Sequence, residues 1–274
     1  MASSIGPRPL AVAIGGFGAI GRAVAARLDR GIEGLRLVAV SARDAARAKA
    51  AMAELRTPVP VLPLARLGEA AEVVVECAPA AVLREIAEPA LTRSRILMVL
   101  SAGALLDNFD LVELARRHGG RIVVPSGALL GLDAVAGAAE GTITRVHMVT
   151  RKPPQGLAGA PYLEERGISL DGLRTAKLVF SGSAHAAARG FPANVNVAAA
   201  LALAGIGPER TTIEIWADPG VSRNTHRIEV EADAARFSMQ IENVPSENPK
   251  TGRLTALSVL AALKKLVGPL AVGT

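Results

Sequence analysis

The chain has 274 residues, enough for one large domain or two modest ones with an ample core. Half of the residues are hydrophobic but only 3% are aromatic, so aliphatic side chains must build the core, as in parallel sheets covered by helices. The net charge of +6 comes from basic residues interspersed with acidic ones, and with so few aromatic side chains we expect no nucleic-acid partner.

Up to about residue 125 the chain alternates between aliphatic runs of strand length and segments with helical spacing. Predicted strands cover 10–14, 35–40, 59–62, 73–76, 95–100 and 121–124, the third of them weak. Predicted helices cover 20–28, 45–55, 81–92 and 108–118. This alternation predicts an α/β fold, a doubly wound parallel sheet with right-handed crossovers, and places a dinucleotide-binding (Rossmann) domain at 1–125.

Beyond residue 125 the pattern changes to that of an α+β domain with a mostly antiparallel sheet. Helices are predicted at 131–139, 184–189 and 195–204, and strands at 142–151, 178–181, 211–217, 225–232 and 236–244. The last three strands alternate in period two, which is typical of strands with one exposed face. We expect a substrate, catalytic and oligomerisation domain at 126–245, and the exposed face is our reason for expecting a homodimer.

The C-terminal residues return to helical spacing over 250–266. The apolar positions Leu254, Leu257, Leu260 and Leu263 lie at helical intervals. We therefore expect the segment 246–274 to carry a helix that packs back on the first domain.

A glycine-rich turn follows the first predicted strand and opens the first predicted helix. Its GxGxxG residues are Gly16, Phe17, Gly18, Ala19, Ile20 and Gly21. In this context the first glycine permits the tight turn, the second lets the backbone approach a pyrophosphate, and the third lets helix and strand pack closely. The unpaired amides at the helix start favour the phosphates. The turn predicts NAD or NADP as cofactor.

The end of the second predicted strand bears on the choice of dinucleotide. An acidic residue there would bind the ribose hydroxyls of NAD, but the sequence has Ser41, Ala42 and Arg43 before Asp44. Arg43 offers a charge-assisted contact to the 2′-phosphate of NADP. We expect NADP to be used, with NAD left open beside it; the alternative is that Arg43 is a solvated loop residue.

The single cysteine, Cys77, follows the fourth predicted strand, where a doubly wound fold places its ligand. A nucleophilic role would need a base or a cation beside the thiolate, and the neighbouring residues supply neither. We therefore favour a packing or cofactor-facing role for Cys77 and Ala78. A lone cysteine, the absence of a signal-peptide pattern and the lack of long apolar runs also predict a cytoplasmic protein without a membrane partner.

Several segments together resemble the L-aspartate dehydrogenase family. They are GGFGAIG, VVECAPAAV, LSAGAL, VPSGALLGLDAV, GSAHAAARGFPANVNVAAALALAG, ADPGVSRNTHRIEVEA and NPKTGRLTALSVLAAL, which span nearly the whole chain. Many dehydrogenases share the N-terminal pieces, whereas FPANVNVAAAL and NTHRIEV are more specific.

The resemblance implies NAD(P)-dependent oxidative deamination of L-aspartate to oxaloacetate and ammonia through iminoaspartate, or the reverse reductive amination. It implies that His226 is the catalytic acid/base, and that Ala128 and either Asn194 or Asn196 contact the cofactor. It also suggests a role in supplying iminoaspartate to pyridine nucleotide biosynthesis, with the direction in the cell left open.

The residues themselves are compatible with this chemistry. Water must attack an imine after hydride removal, and histidine moves protons near neutral pH. The neighbours Asn224 and Thr225 are candidates to orient the His226 ring. A dicarboxylate substrate needs cations, for which Arg151 and Lys152 are candidates, although a solvated loop pair is an equal reading.

The other histidines have simpler interpretations from the sequence. His118 ends a predicted helix, His147 lies within a strand, and His185, at a helix start, is a second candidate for catalysis. We expect no metal site and no phosphate-binding loop, because neither ligand spacing nor GxxxxGK[ST] occurs.

Two further functions stay open at this point. One is a reductase of the homoserine or dihydrodipicolinate type, although the paired histidines of the latter family are missing. The other is a non-catalytic dinucleotide sensor, which would keep the glycine turn and need no acid/base.

Overall fold

The computed structural model describes residues 8–192, 195–244 and 252–273, and the chain forms two compact units. The first unit is drawn from Met1–Ser101, Asn108–Pro125 and Ala256–Ala271, and the second from Ala102–Asp107, Ser126–Thr255 and Val272–Thr274. Within the described residues, none of the helices is both long and apolar enough to cross a lipid bilayer.

The elements follow one another in chain order through both units. The strands are β1 (Leu10–Gly15), β2 (Leu35–Ser41), β3 (Val73–Glu76), β4 (Ile96–Val99), β5 (Arg121–Val123), β6 (Ile143–Lys152), β7 (Lys177–Ser183), β8 (Thr211–Ala217), β9 (Asn224–Ala232) and β10 (Arg236–Asn243). The α-helices are α1 (Ala19–Asp29), α2 (Ala45–Met52), α3 (Leu67–Ala70), α4 (Leu83–Leu91), α5 (Ala102–Asp107), α6 (Asp110–His118), α7 (Leu132–Ala139), α8 (Pro161–Glu165), α9 (Ala184–Gly190), α10 (Asn196–Ala204) and α11 (Leu254–Val267).

The first unit contains a five-stranded sheet in the order β2-β1-β3-β4-β5, with every neighbouring pair parallel. Its central strands are buried apart from the first residues of β1 and β4, as the aliphatic runs predict, because helices cover both faces of such a sheet. Val259, Leu260 and Leu263 of α11 belong to the same hydrophobic core. The α/β fold with a doubly wound parallel sheet is confirmed.

Two details of the first unit differ from the sequence prediction. The weak strand at 59–62 is wrong, since only an isolated parallel bridge joins Val61 to Val40. Prolines at 58, 60 and 63 explain this, because proline has no amide hydrogen to donate to a neighbouring strand. The predicted inward face of α11 is also wrong at Leu257, which is 58% exposed.

The second unit contains a mixed sheet in the order β10-β9-β6-β8-β7. Only β6 and β8 run parallel, and the other three neighbouring pairs are antiparallel. The predicted α+β domain with a mostly antiparallel sheet is therefore confirmed.

The two faces of this second sheet differ in polarity. The buried face carries alternate aliphatic residues of its three central strands, against which α7, α9 and α10 pack: Val146, Met148, Ile213, Ile215, Ile228 and Val230. The opposite face carries charged pairs such as Arg145 with Glu229 and Glu231. We call these the inner and the outer face.

Candidate active site

The glycine turn between β1 and α1 is shaped by close backbone contacts. Gly16 has a φ of +103°, and a Cβ placed on it would lie 2.6 Å from the carbonyl oxygen of Cys77. A Cβ on Gly21 would lie 2.0 Å from the carbonyl oxygen of Gly16. Only glycine satisfies both positions, which brings the start of α1 tightly against the ends of β1 and β3.

Gly18 differs from the other two glycines because nothing lies within 4 Å of its hypothetical Cβ. It is the N-cap of α1, it is exposed, and the first turn of the helix carries neither a side-chain cap nor an acidic residue. The unpaired amides of that turn favour an anion at this open position. This geometry fits a pyrophosphate, while cofactor contact by Phe17, Ala19 and Ile20 stays a prediction.

The loop after β2 has one carboxylate with a structural role and one exposed cation. Asp44 caps α2, its Oδ1 accepting a hydrogen bond from the Arg47 amide at 2.9 Å. Ser41 is buried, and its carbonyl accepts a hydrogen bond from the Gly16 amide at 3.0 Å, which joins this loop to the glycine turn. Arg43 is exposed, and its role toward a 2′-phosphate stays a prediction.

Cys77 is half-buried directly after β3, and its amide donates a hydrogen bond to the Gly15 carbonyl at 2.7 Å. Burial, together with the neighbouring Glu76 carboxylate, raises the pKa of the Cys77 thiol well above its usual range. A protonated thiol is a poor nucleophile, so this geometry favours packing or cofactor contact over covalent catalysis.

Glu76, for which the sequence predicts no functional role, is completely buried at the end of β3. Its Oε2 accepts hydrogen bonds from the amides of Leu100 at 3.1 Å and Ser101 at 2.9 Å, and its Oε1 accepts one from the Ser101 hydroxyl at 3.0 Å. Burial raises the pKa of this carboxyl, and the hydrogen bonds partly oppose the shift. Glu76 thus fixes the turn that follows β4.

His226 lies on the inner face of the second sheet and is only 2% exposed. It pairs across the strands with Thr150 of β6, whose Oγ1 lies 3.1 Å from the imidazole Nδ1. Burial, and secondarily the charge of Lys152, lowers the pKa of His226 to about 3. The bond to Thr150 holds the ring through Nδ1, so Nε2 is the ring nitrogen outside this contact.

Lys152 lies two residues after Thr150 on β6, and therefore on the same inner face. It is 3% exposed, and burial lowers the pKa of its ammonium to about 7. The structure thus places a hydroxyl, an imidazole and an amine together where the sequence had offered only separate candidates. Thr150 was missed because strand register, not chain position, brings it opposite His226.

The other predicted substrate residues divide between the two faces. Arg151 is on the outer face, where its Nη1 pairs with Asp218 Oδ2 at 3.0 Å and its guanidinium lies over the Trp216 ring. Thr225 pairs with Arg151 across the strands and shares that outer face. Asn224 shares the inner face with His226, so only Lys152 and Asn224 lie on the histidine side. The assignment of all four to substrate binding stays a prediction.

The two predicted cofactor contacts of the second unit are anchored by side-chain amides. The Ala128 carbonyl accepts a hydrogen bond from Asn243 Nδ2 at 2.9 Å. Asn196 Oδ1 accepts one from the Gly103 amide at 3.0 Å, which joins α10 to α5. Asn194 lies outside the described residues. The choice between Asn194 and Asn196 as cofactor ligand is therefore still open.

The remaining histidines lie in more polar surroundings than His226. His118 is exposed at the end of α6, and His147 Nδ1 lies 2.9 Å from the Thr212 hydroxyl on the outer face. His185 hydrogen-bonds two carboxylates, those of Asp107 and Glu209, which raises its pKa. Of the four, only His226 is buried.

Comparison with known proteins assigns both units to characterised families. Residues 133–266 match the family described as aspartate dehydrogenase, C-terminal, and residues 16–125 match the NAD-binding domain of homoserine dehydrogenase. The L-aspartate dehydrogenase of Bradyrhizobium diazoefficiens is 61% identical over 97% of this chain and 94% of the relative. This chain belongs to the L-aspartate dehydrogenase family.

Other members of the family support the same placement. L-Aspartate dehydrogenase 3 of Bordetella bronchiseptica is 59% identical over 97% of this chain and 98% of its own. The crystal structure of aspartate dehydrogenase from Thermotoga maritima shares the fold, with a TM-score of 0.72 at 24% identity, over 96% of this chain and 99% of the other. The chain is thus a dehydrogenase of this family with NAD or NADP as cofactor.

Proposed function

We propose that this member of the L-aspartate dehydrogenase family oxidises L-aspartate to oxaloacetate and ammonia through iminoaspartate, with His226 as acid/base. The observation that carries the proposal is the buried imidazole, held by Thr150 beside Lys152 on a mostly aliphatic sheet face. Relatives named L-aspartate dehydrogenase at 61% and 59% identity support the substrate.

The residues proposed to hold the dinucleotide are those of the glycine turn, 16–21, together with Arg43, Cys77, Ala78, Ala128 and one of Asn194 and Asn196. The open position at Gly18 and the amides of the first turn of α1 would receive the pyrophosphate. When bound, the dinucleotide supplies the hydride acceptor for the α-carbon of the amino acid.

The proposed role of His226 begins once the α-carbon has lost its hydride. Water adds to the imine carbon, and the imidazole takes the proton that this water releases. The same proton then goes to the amino group of the resulting carbinolamine, and the C–N bond breaks so that ammonia leaves. As the C=O bond forms, the imidazole takes the proton of the carbinolamine hydroxyl. Reductive amination would use the same steps in reverse, and we leave open which direction the cell uses.

We propose Lys152 and Asn224 as the substrate-binding residues on the histidine face. An ammonium pairs with a carboxylate, and an amide donates hydrogen bonds to one. Arg151 and Thr225, on the outer face, would act on the substrate only indirectly, through the strands that carry Lys152 and His226.

The proposed assembly is a cytoplasmic homodimer of chains divided at 1–125, 126–245 and 246–274. The outer face supports the dimer, because its arginines and glutamates, including Arg145, Arg227 and Glu229, form a mixed pattern that a second copy could complement. The size of the protein in solution, measured by light scattering, tests this assembly.

The catalytic proposal is tested with the purified chain and a panel of amino acids. We expect reduction of NADP or NAD with L-aspartate, and turnover at least about 100-fold lower in His226→Ala with unchanged dinucleotide affinity. His147→Ala is the matched control, because that histidine lies on the outer face of the same sheet. Near-normal turnover in His226→Ala would show that the acid/base assignment is wrong.

The same panel separates the alternative functions. Homoserine is included because residues 16–125 match the homoserine dehydrogenase NAD-binding domain. Activity with homoserine or a neutral amino acid and none with aspartate would overturn the assignment of L-aspartate as the substrate. Dinucleotide binding without turnover of any amino acid would favour the alternative function, a non-catalytic dinucleotide sensor.

A further inference from the structure

The polar group on the inner face of the second sheet contains a basic side chain in an unusual environment. Among the described residues, Lys152 is the only lysine or arginine that is buried. Its neighbour Thr150 lies two positions earlier on the same strand, and His226 lies opposite Thr150. An amine and an imidazole therefore share one buried corner, where each would repel the other's charged form.

Among the described residues, the elements around this corner contribute few charges. On β8, the residues opposite Thr150 and Lys152 are Ile215 and Ala217, and on β10 the residue opposite His226 is Ile241. The helix α10, which packs on β8, contains no titratable residue.

The remaining titratable groups belong to the other two helices that pack on the sheet. They are Asp133 of α7 and His185 and Arg189 of α9, none of which is buried. His185 and Arg189 both bond to Asp107. His226 is thus the only other buried titratable group of the second unit among its described residues.

A buried basic side chain can bind a ligand that carries a negative charge. We propose that Lys152 receives one carboxylate of the substrate, and that the filled site holds a proton that the empty site lacks at pH 8. This inference rests on the proposed function, because it assumes a dicarboxylate substrate. It assigns to Lys152 a role in charging the site as well as in binding.

The size and sign of the effect follow from the burial of Lys152. With a pKa of about 7 in the empty site, the amine is protonated in about one-tenth of molecules at pH 8. An adjacent carboxylate raises the pKa of a basic group by about one to three units. The filled site is then half to almost completely ammonium, so binding takes up roughly 0.4 to 0.9 of a proton from the buffer.

The charge on Lys152 also bears on His226. That charge is one of the two causes that lower the pKa of the imidazole, after burial. A substrate carboxylate beside the new ammonium offsets its charge, so the proton taken up by Lys152 adds no net charge next to the imidazole.

The test is calorimetry with succinate, a dicarboxylate that has no amino group to oxidise, added to the enzyme saturated with oxidised dinucleotide. Titrations at pH 8 in phosphate and in Tris give the proton uptake from the difference in buffer ionisation heats. We expect roughly 0.4 to 0.9 of a proton per site, and an affinity that falls by about twofold or more between pH 7.5 and 8.5, since the two quantities are linked.

Two variants assign the uptake to one residue. Lys152→Met should lose the uptake and bind succinate at least about tenfold more weakly. Lys177→Met, an exposed lysine of β7 in the same sheet, should change neither quantity. If Lys152→Met does not fold, the uptake and its pH dependence in the unmodified enzyme decide the question.

Three other outcomes would contradict the inference. Succinate binding without proton uptake, uptake retained in Lys152→Met, or failure of succinate to bind would each overturn the inference. Aspartate turnover is measured on the same preparations. Turnover without uptake defeats this inference alone, whereas uptake without aspartate turnover defeats the proposed function.

Discussion

At the scale of single residues, the hydroxyl of Thr150 fixes the orientation of the His226 ring. The 3.1 Å contact between Thr150 Oγ1 and Nδ1 is the only hydrogen bond found for the imidazole among the described residues. A ring without this partner could rotate, and its Nε2 would no longer be fixed. We therefore regard Thr150 as a positioning residue for the proposed acid/base.

Thr150→Val should lower kcat about fivefold, because it removes one buried hydrogen bond worth about 1 kcal/mol while keeping the side-chain volume. The KM for aspartate should change little, since no substrate contact is lost. Thr150→Ser restores the hydroxyl and should restore kcat. Steady-state kinetics of the three proteins test this, and an equal loss in the serine and valine variants would contradict it.

Arg43 is a second position where one side chain should have a measurable effect. It is exposed after β2, while Asp44 is occupied as the cap of α2. Arg43→Ala should therefore lower kcat/KM for NADP by roughly tenfold and leave that for NAD nearly unchanged. Arg47→Ala, an exposed arginine four residues on, is the control. A parallel loss with both dinucleotides would contradict a contact to the 2′-phosphate.

Sequence could predict candidate residues but not their arrangement. The pattern around residue 226 points to a histidine, and Arg151 and Lys152 are equivalent cations in the sequence. Strand alternation separates those two, and the cross-strand register supplies Thr150 from 76 positions away. Neither the face nor the register can be read where alternation in β6 is imperfect.

At the scale of elements, the end of β3 is tied to the turn after β4 by Glu76. Its carboxylate accepts two backbone amides and one hydroxyl from Leu100 and Ser101. The buried carboxylate therefore fixes the backbone that leaves β4. Aliphatic periodicity does not reveal such a residue, because Glu76 simply ends a hydrophobic run.

Glu76→Ala should destabilise the protein by about 2–4 kcal/mol, because it leaves buried amides without an acceptor. Glu76→Gln keeps one acceptor oxygen and the volume, so it should lose much less. Urea unfolding of both variants gives the two values. Equal stability of the alanine variant and the unmodified chain would mean that the turn does not depend on this carboxylate.

Elements set by the local hydrophobic pattern agree with the prediction, whereas those set by proline positions or by tertiary packing differ from it. Buried parallel strands appear in the sequence as aliphatic runs, so β1 to β5 were found. Prolines around 58–63 prevent a strand in spite of the valines. Leu257 has helical spacing with its neighbours, yet Val259 faces the core in its place, because tertiary packing sets the rotation of α11.

At the scale of the whole molecule, α5 is a six-residue helix that belongs to the second unit although the chain on either side belongs to the first. Hydrogen bonds to three residues link it to two helices of the second unit. The Gly103 amide bonds to Asn196 of α10, and Asp107 bonds to His185 and Arg189 of α9. The attachment of this helix therefore depends partly on the charge of one histidine.

His185 makes the stability of that attachment depend on pH. Each ring nitrogen faces a carboxylate, Asp107 and then Glu209, so both bonds need the protonated ring, and they raise its pKa above 6.5. The stabilisation that His185 contributes is complete at pH values below its pKa in the unfolded chain. It is lost as the pH rises through its pKa in the folded protein. The hydrogen bond from His185 is the main cause that lowers the pKa of Asp107. The stabilisation from Asp107 is therefore lost at acid pH, as the pH falls through the pKa of this carboxyl in the folded protein.

Thermal unfolding should therefore show His185→Gln less stable than the unmodified chain at pH 6 but similar at pH 9. His118→Gln, at an exposed histidine, should show no such trend, and a His185→Gln deficit that persists unchanged at pH 9 would exclude the charge as its cause.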